Sequence, residues 1–208
     1  MDIQYYGANC IRITTKKASV VIDDNLASIG LKTQTKPQDI LLRTSELSPK
    51  HDAKFTADMP GEYEISGVVI EGVAVRGHMD EPGTKNSVIF KVSADDITVV
   101  ISGHIYPDLN EEDLETLGMV DILMVPVGGH GYTLDSIGAL KLIKKIDPKV
   151  VVPTHYADKA IKYEVPQQDL ETAIKELGME PTESLARYKP KLSELSDTTK
   201  LVVLERQP

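Results

Sequence analysis

The chain has 208 residues, a formal net charge of −9 and a pI of about 5.1. Its hydrophobic content of 41% and charged content of 26% are ordinary for a globular protein. A strongly acidic surface repels polyanions, so we expect no nucleic-acid partner. No window approaches the roughly 18 consecutive apolar residues of a membrane-spanning helix, so we expect no membrane partner either.

The first residues, MDIQYYGANC, have an acidic second position and no apolar run, which predicts that no signal peptide is present. Cys10 is the sole cysteine, so an internal disulfide is excluded. A structural zinc site built from cysteines is excluded for the same reason. These features favour a protein of the reducing cytoplasm.

The first half of the chain is predicted to be rich in strands. Short β-branched and aromatic runs are separated by small or polar residues, in the order IQYYG, CIRITT, SVVIDD and ILL. A hairpin is predicted to turn at Ser66-Gly67 and a second one at Asp95-Asp96. The strand 97–101 is nearly all apolar, which is typical of a strand covered on both faces.

The second half alternates helices with buried strands. Asn110 and Gly118 are predicted to cap a first helix. The segment TLDSIGALKLIKKID has helical apolar spacing, and a third helix is predicted to begin at Pro166 and end at Gly178. The apolar runs DILMVPV, KVVVPTHY and TKLVVLER predict strands. Buried strands flanked by helices indicate an α/β fold, which we interpret as one domain over residues 1–208.

Three histidines share one structural context in this prediction. His78, His104 and His155 each follow an apolar strand. Loops at strand ends commonly carry site residues, and imidazole is the commonest protein ligand of metal ions. The pattern therefore favours a metal site on His78, His104 and His155. A single histidine at a strand end is more often a surface or hydrogen-bonded residue, so this alternative stays open.

Several segments together resemble a known family. MPGEYEISGVVIEGV matches a characteristic Pro-Gly-Glu-Tyr-Glu segment, and VDILMVPVGGHGYTLDSIGALKLIKKIDPKVVVPTHY matches a strand–helix–strand unit that ends in His-Tyr. The chain resembles metallo-β-lactamase-fold proteins of the ascorbate-6-phosphate-lactonase-like branch of Zn-dependent hydrolases, over nearly its whole length. The resemblance implies a four-layer αββα sandwich with one or two metal ions, usually zinc. A metal-bound water would attack an ester, lactone or phosphate-type bond.

The resemblance also implies where the metal ligands lie. In the family they come from a His-x-His-x-Asp-His motif, a later His, an Asp in Gly-Asp and a final His-Tyr. His78 matches the later His and His155 the final one, whereas the Gly-Asp pair is Gly103-His104 here. A reduced site with one zinc ion on His78, His104 and His155 is one expectation, and a site with no metal is the other.

The first ligand motif is degenerate in this sequence. It should follow DILLRT, and its four ligand positions fall on Ser45, Leu47, Pro49 and Lys50. None of these four is a plausible ligand, and Lys50 would place a positive charge where a cation belongs. A shift by one residue puts Glu46, Ser48, Lys50 and His51 on the same positions. Glu46 and His51 therefore remain candidates, as does His130 farther along the chain.

Three functions compete on this basis. The first is a superfamily hydrolase that acts, if at all, through the reduced single-metal site. The second is a catalytically inactive binding or assembly module that keeps the fold without metal and takes a small molecule in the old cleft. The third is metal-free chemistry with Lys50, His104 or His130 as the base. The sequence does not identify the small molecule, and the resemblance also allows a homo-oligomer.

Overall fold

The computed structural model describes residues 1–208 and arranges them as two mixed β-sheets with three α-helices. The smaller sheet has five strands in chain order: β1 (Asp2–Gly7), β2 (Cys10–Thr14), β3 (Ser19–Ile22), β4 (Ile40–Leu42) and β5 (Phe55–Ala57). The pairs β1–β2 and β2–β3 are antiparallel, and the pairs β3–β4 and β4–β5 are parallel.

The larger sheet has eight strands in the order β12-β13-β11-β10-β9-β8-β7-β6. Their bounds are β6 (Gly61–Ile65), β7 (Val68–Val75), β8 (Ser87–Ala94), β9 (Ile97–Ile101), β10 (Ile122–Pro126), β11 (Val150–Thr154), β12 (Pro181–Leu185) and β13 (Lys200–Leu204). Strands β6 to β9 form an antiparallel meander, and β9, β10, β11, β13 and β12 are parallel. The edge strand β12 is not among the predicted elements, because PTESL carries no apolar run.

Both predicted hairpins are confirmed. Ile65 pairs with Val68, and the turn residues Ser66 and Gly67 have φ of 54° and 71°. The second hairpin turns at Asp95 and Asp96 with φ of 53° and 60°. Two consecutive positive φ values match the right-handed twist of the flanking strands, which is why Gly and Asp suit these positions.

The helices are α1 (Glu111–Leu117), α2 (Ser136–Ile146) and α3 (Leu170–Leu177). The capping prediction for α1 is confirmed, because Asn110 and Asp113 form a reciprocal capping box. The predicted start of α3 at Pro166 is wrong. Asp169 caps this helix by accepting the Thr172 N–H, so the helix begins at Leu170. Even the longest helix, α2, has only eleven residues, and none is long and apolar enough to span a membrane.

Alternate residues of the small sheet face opposite sides. Ile11 and Ile13 lie in the large core shared with the eight-stranded sheet, α2 and α3. Cys10 and Val21 face outwards and pack in a small cluster with the 3-10 helix Leu26–Ile29. The predicted α/β sandwich is therefore confirmed, with a short 3-10 helix as the element on the outer face of the small sheet.

Gly103, two residues after the end of β9, lies where the two sheets come close together at one edge. Its φ is +62°, and a Cβ built on it would overlap Oγ1 of Thr44. Thr44 follows β4 of the small sheet, and its carbonyl accepts the N–H of Val88 in the large sheet at 2.8 Å. Glycine therefore permits both the backbone conformation and the contact at this position.

We predict that Gly103→Ala destabilises the protein by about 3 kcal/mol, since the methyl group adds a steric clash to an unfavourable φ. Gly131→Ala is the matched control, because Gly131 has φ of +75° with nothing within 4 Å of its added Cβ. It should lose only about 1 kcal/mol from backbone strain. Urea unfolding of both variants measures the difference, and equal losses would contradict the close contact.

Candidate functional site

The three histidines meet at one edge of the large sheet. Strands β7, β9 and β11 run in the same direction, so their carboxyl ends share this edge. His78, His104 and His155 follow those ends. The His78 N–H donates to the carbonyl of His104 at 2.8 Å, and the ring centroids of His104 and His155 are 4.6 Å apart. The three histidines therefore lie near one another at this edge.

Two separate cavities lie at this edge of the large sheet. The larger one, of about 390 Å³, is lined by Ser45, Glu46, Leu47, Gly77, His78, Met79, Asp80, Asn86, Ser87, His104 and Tyr132. The smaller one, of about 200 Å³, includes His155 and Gln167 in its wall. Leu47 and Tyr132 belong to both walls. His78 and His104 therefore face one cavity, and His155 faces the other.

His155 is held in a defined orientation. It has φ of 52°, and its N–H donates to the carbonyl of Ala8 at 2.9 Å. Nδ1 of its ring lies 3.1 Å from Oε1 of Gln167, whose own amide nitrogen donates to the carbonyl of Val165. Because an amide oxygen can only accept, Nδ1 carries the proton and Nε2 keeps a lone pair. This is the orientation that a hydrogen-bonded metal-ligating histidine uses.

The imidazoles of His104 and His155 are neutral at pH 7. Burial lowers the pKa of His155 to about 4. Burial also lowers the pKa of His104 well below its usual value, and the neighbouring His155 and His78 lower it further. The two rings pack edge to face, and His104 also contacts the ring of Tyr132 at a centroid distance of 5.0 Å. Neutral rings favour this packing, since charged imidazoles would repel each other.

The loop after β4 is held closed by hydrogen bonds within the protein. Asp23 accepts the N–H and the hydroxyl of Thr44 at 2.8 and 2.6 Å. The buried Arg43 donates from Nε to the carbonyl of Ser48 at 2.6 Å and forms an ion pair with Asp58 at 2.7 Å. The loop therefore takes a fixed shape from its own contacts.

The candidates of the degenerate motif are dispersed. His51 does not point to the cavities: its Nε2 lies 2.6 Å from the carbonyl oxygen of Asp24. Lys50 lies 3.5 Å from Asp58, and Leu47 is 61% exposed. Glu46 lines the larger cavity. His130 is exposed in a turn with φ of 56° and lines neither cavity.

The family's two-metal centre does not fit these residues. No group of three or more His, Cys, Asp or Glu side chains is placed to hold a metal ion. Some donor chemistry for a single ion is present, because Nδ1 of His78 and Nδ1 of His104 are buried without a hydrogen-bond partner, but His155 faces the other cavity. The three-histidine metal site stays a prediction.

Tyr132, Gln167 and Asp23 are site residues that the sequence analysis did not identify. Tyr132 lies in a turn after Gly131, and Gln167 lies in an irregular segment before α3. Neither position has a periodicity or a motif that would indicate a role. Asp23 could have been found, because it directly follows a predicted strand that pairs with β4.

Asp23 should make the free energy of unfolding of the protein depend on pH. Burial raises its pKa from 3.8 to about 6, against the hydrogen bonds from Thr44, which lower it. The folded state therefore binds this proton more tightly than the unfolded chain. The stabilisation from this proton is complete below about pH 4 and is lost as the pH rises through about 6.

We predict that the free energy of unfolding of the wild type, relative to Asp23→Asn, falls by about 2–3 kcal/mol between pH 4 and pH 7. Asn cannot ionise, so only the wild type has this titration. Urea unfolding of both proteins across the range measures it. A constant difference would contradict the raised pKa, whatever the Asn side chain does to the hydrogen bonds themselves.

Comparisons with known proteins place the chain in a family. A family model described as a beta-lactamase superfamily domain matches residues 2–155. A UPF0173 metal-dependent hydrolase of Nanoarchaeum equitans is 26% identical over 89% of this chain and 99% of its own. A similarly named protein of Pyrococcus horikoshii is 33% identical, but the match spans only 46% of this chain and 44% of that relative.

A solved structure extends the likeness to the whole fold. It is a Zn-dependent hydrolase of the metallo-β-lactamase superfamily, by its description, from Thermotoga maritima. It superposes with a TM-score of 0.77 over 98% of both chains at 23% sequence identity. Because the family model covers well over half of the residues and the two-sheet architecture agrees with this structure, the chain belongs to the beta-lactamase superfamily and has the metallo-β-lactamase fold.

Proposed function

We propose that this protein is a member of the metal-dependent hydrolase family that binds a small molecule in its cleft without a two-metal centre. The observation that carries the proposal is the donor set at the cleft. Ser45, Leu47, Pro49 and Lys50 occupy the main ligand positions, and no His, Cys, Asp or Glu group replaces them. Two divalent ions need several anionic ligands, which this cleft does not provide.

The loop that bears these positions supports the same conclusion. A loop shaped by metal ligands depends on the ion for its order. Here Asp23, through Thr44, and Arg43, through Ser48, hold the loop with buried hydrogen bonds. The loop therefore keeps its place beside the cavity without an ion.

The imidazoles of His104 and His155 also contribute to an aromatic cluster in this cleft. His104 and His155 pack as neutral rings against each other, and Tyr132 and Tyr163 extend the aromatic group at centroid distances of 5.0 Å from His104 and His155 respectively. The cavity of about 390 Å³ has mostly polar walls, with Tyr132 as its aromatic side chain beside the two histidines, and it is of the size that takes a small molecule.

A second candidate is the hydrolase with one ion on His78, His104 and His155. Two observations favour it: Gln167 holds His155 with its Nε2 lone pair free, and Nδ1 of His78 and His104 lacks a partner. Three histidines with an open position are a known catalytic zinc pattern. In that case the metal would supply the activated water, and Gln167 would keep His155 oriented.

The cytoplasm is the compartment that we propose for this protein. Cys10 is buried and unpaired, so the fold needs no oxidising environment.

We predict that the protein purified from zinc-supplemented medium carries far less than one ion per chain, as measured by elemental analysis. The positive control is a chain with Ser45→His, Leu47→His, Pro49→Asp, Lys50→His and His104→Asp. These substitutions restore the family's ligand pattern, so this variant should gain metal.

Two outcomes would contradict the proposal. Nearly two ions per wild-type chain would show an intact two-metal centre built from other residues. Nearly one ion, lost in His104→Ala, would establish the second candidate instead. If neither the wild type nor the restored variant holds metal, circular dichroism shows whether the restored variant has folded and is a valid control.

A further inference from the structure

We propose that the larger cavity, lined by His78, His104 and Tyr132, selects a cationic small molecule of the organic-amine class. The inference rests on the proposed function, because a resident metal ion would reverse the charge of the cavity. It is carried by the charges, the unpaired hydrogen-bond groups and the aromatic surface of the cavity wall.

The ionised groups of the wall are all negative. Glu46 and Asp80 are the only Asp, Glu, Lys or Arg residues among the lining residues. Neither forms an ion pair with a cationic side chain. The cavity wall therefore presents two carboxylates and no Lys or Arg side chain.

Cationic side chains close in sequence to the wall residues contact other groups, and Lys85 beside Asn86 lies 3.3 Å from Asp113. Lys50, in the loop of Glu46, lies 3.5 Å from Asp58. Arg76 donates from Nε to the carbonyl oxygen of Asp80 at 2.8 Å, and its guanidinium lies 4.0 Å from the ring centroid of Tyr106. Arg76 lines a different cavity. The Arg76 guanidinium therefore packs on the Tyr106 ring and forms no ion pair with the Asp80 carboxylate.

Asp80 is also oriented by the backbone. Its Oδ2 accepts the N–H of Gly77 at 3.0 Å, and a Cβ on Gly77 would lie 2.7 Å from this oxygen. Glycine at position 77 thus lets the carboxylate lie against the backbone beside His78. Oδ1 of Asp80 has no protein partner in the hydrogen-bond network and can accept from a ligand.

The remaining wall suits an ammonium group with an apolar body. An ammonium offers up to three hydrogen-bond donors, which the carboxylates of Glu46 and Asp80 can accept. Tyr132 provides an aromatic face, which attracts cations. Leu47 and Met79, 61% and 70% exposed, provide apolar surface at the rim. A phosphate or carboxylate ligand would meet two like charges here on a chain whose net charge is already −9.

The test uses three ring compounds that differ mainly in charge: benzylamine, benzyl alcohol and phenylphosphonate. Each is titrated into the full-length protein at low ionic strength, with affinity from calorimetry and position from amide chemical shifts. We expect benzylamine to bind best, to shift the residues around His78 and His104, and to weaken as salt is added.

The decisive variant is Glu46→Gln with Asp80→Asn, which removes both charges and keeps the side-chain shapes. The side-chain amide oxygen that Asp80→Asn introduces can still accept the N–H of Gly77, so the loop should keep its structure. We expect benzylamine to bind about tenfold more weakly, with benzyl alcohol unchanged. The matched control is Glu180→Gln with Asp197→Asn, two exposed carboxylates distant from the cavity in sequence, which changes the net charge equally.

The failures can be told apart. Binding of benzyl alcohol or phenylphosphonate at least as tight as that of benzylamine overturns the cationic class but leaves a metal-free binding cavity standing. Equal losses in the decisive and control variants overturn it too, because they indicate a general charge effect. Absence of benzylamine binding overturns the inference, and near-stoichiometric metal in the same sample shows that the proposed function has failed with it.

Discussion

The hydrogen bonds of Thr44 join the two sheets at the edge where the cleft lies. Its N–H and hydroxyl donate to Asp23, which follows β3 of the small sheet, and its carbonyl accepts from Val88 of the large sheet. Its side chain lies against Gly103, directly before His104. The position of the loop and that of His104 are therefore fixed by one residue. Burial makes the Asp23 carboxyl costly to ionise, and the two hydrogen bonds from Thr44 offset part of that cost.

The sequence predicts the parts of the fold whose signals are local. Ser66-Gly67 and Asp95-Asp96 identify hairpins because their backbone conformation is demanding, and Asn110 identifies a helix start because its side chain replaces a missing backbone partner. The start of α3 was missed because Pro166 is only compatible with a helix start, whereas Asp169 provides the hydrogen bond. Strand β12 was missed because an exposed edge strand needs no apolar pattern.

For the site, the sequence predicts only which strand ends lie together at one edge of the sheet. That three histidines lie at one edge follows from strand direction and from the resemblance to the family. That His78 and His155 face separate cavities depends on Leu47 and Tyr132, which come from loops distant in sequence. The orientation of the His155 ring depends on its hydrogen bond with Gln167. The ring of His51 is kept away from the cavities by its hydrogen bond with the Asp24 carbonyl. Such contacts between loops leave no periodic signal in the chain.

The partition made by Leu47 and Tyr132 also determines which shapes the cleft accepts. Two compartments of about 390 and 200 Å³ share these two side chains as a common wall. A compact molecule fits within one compartment, but an elongated one has to displace the partition to occupy both. Leu47 is 61% exposed, whereas Tyr132 packs on His104, so Leu47 is the side chain that moves more easily. We therefore expect the cleft to discriminate by the length of its guest, with Leu47 and Tyr132 together setting that limit.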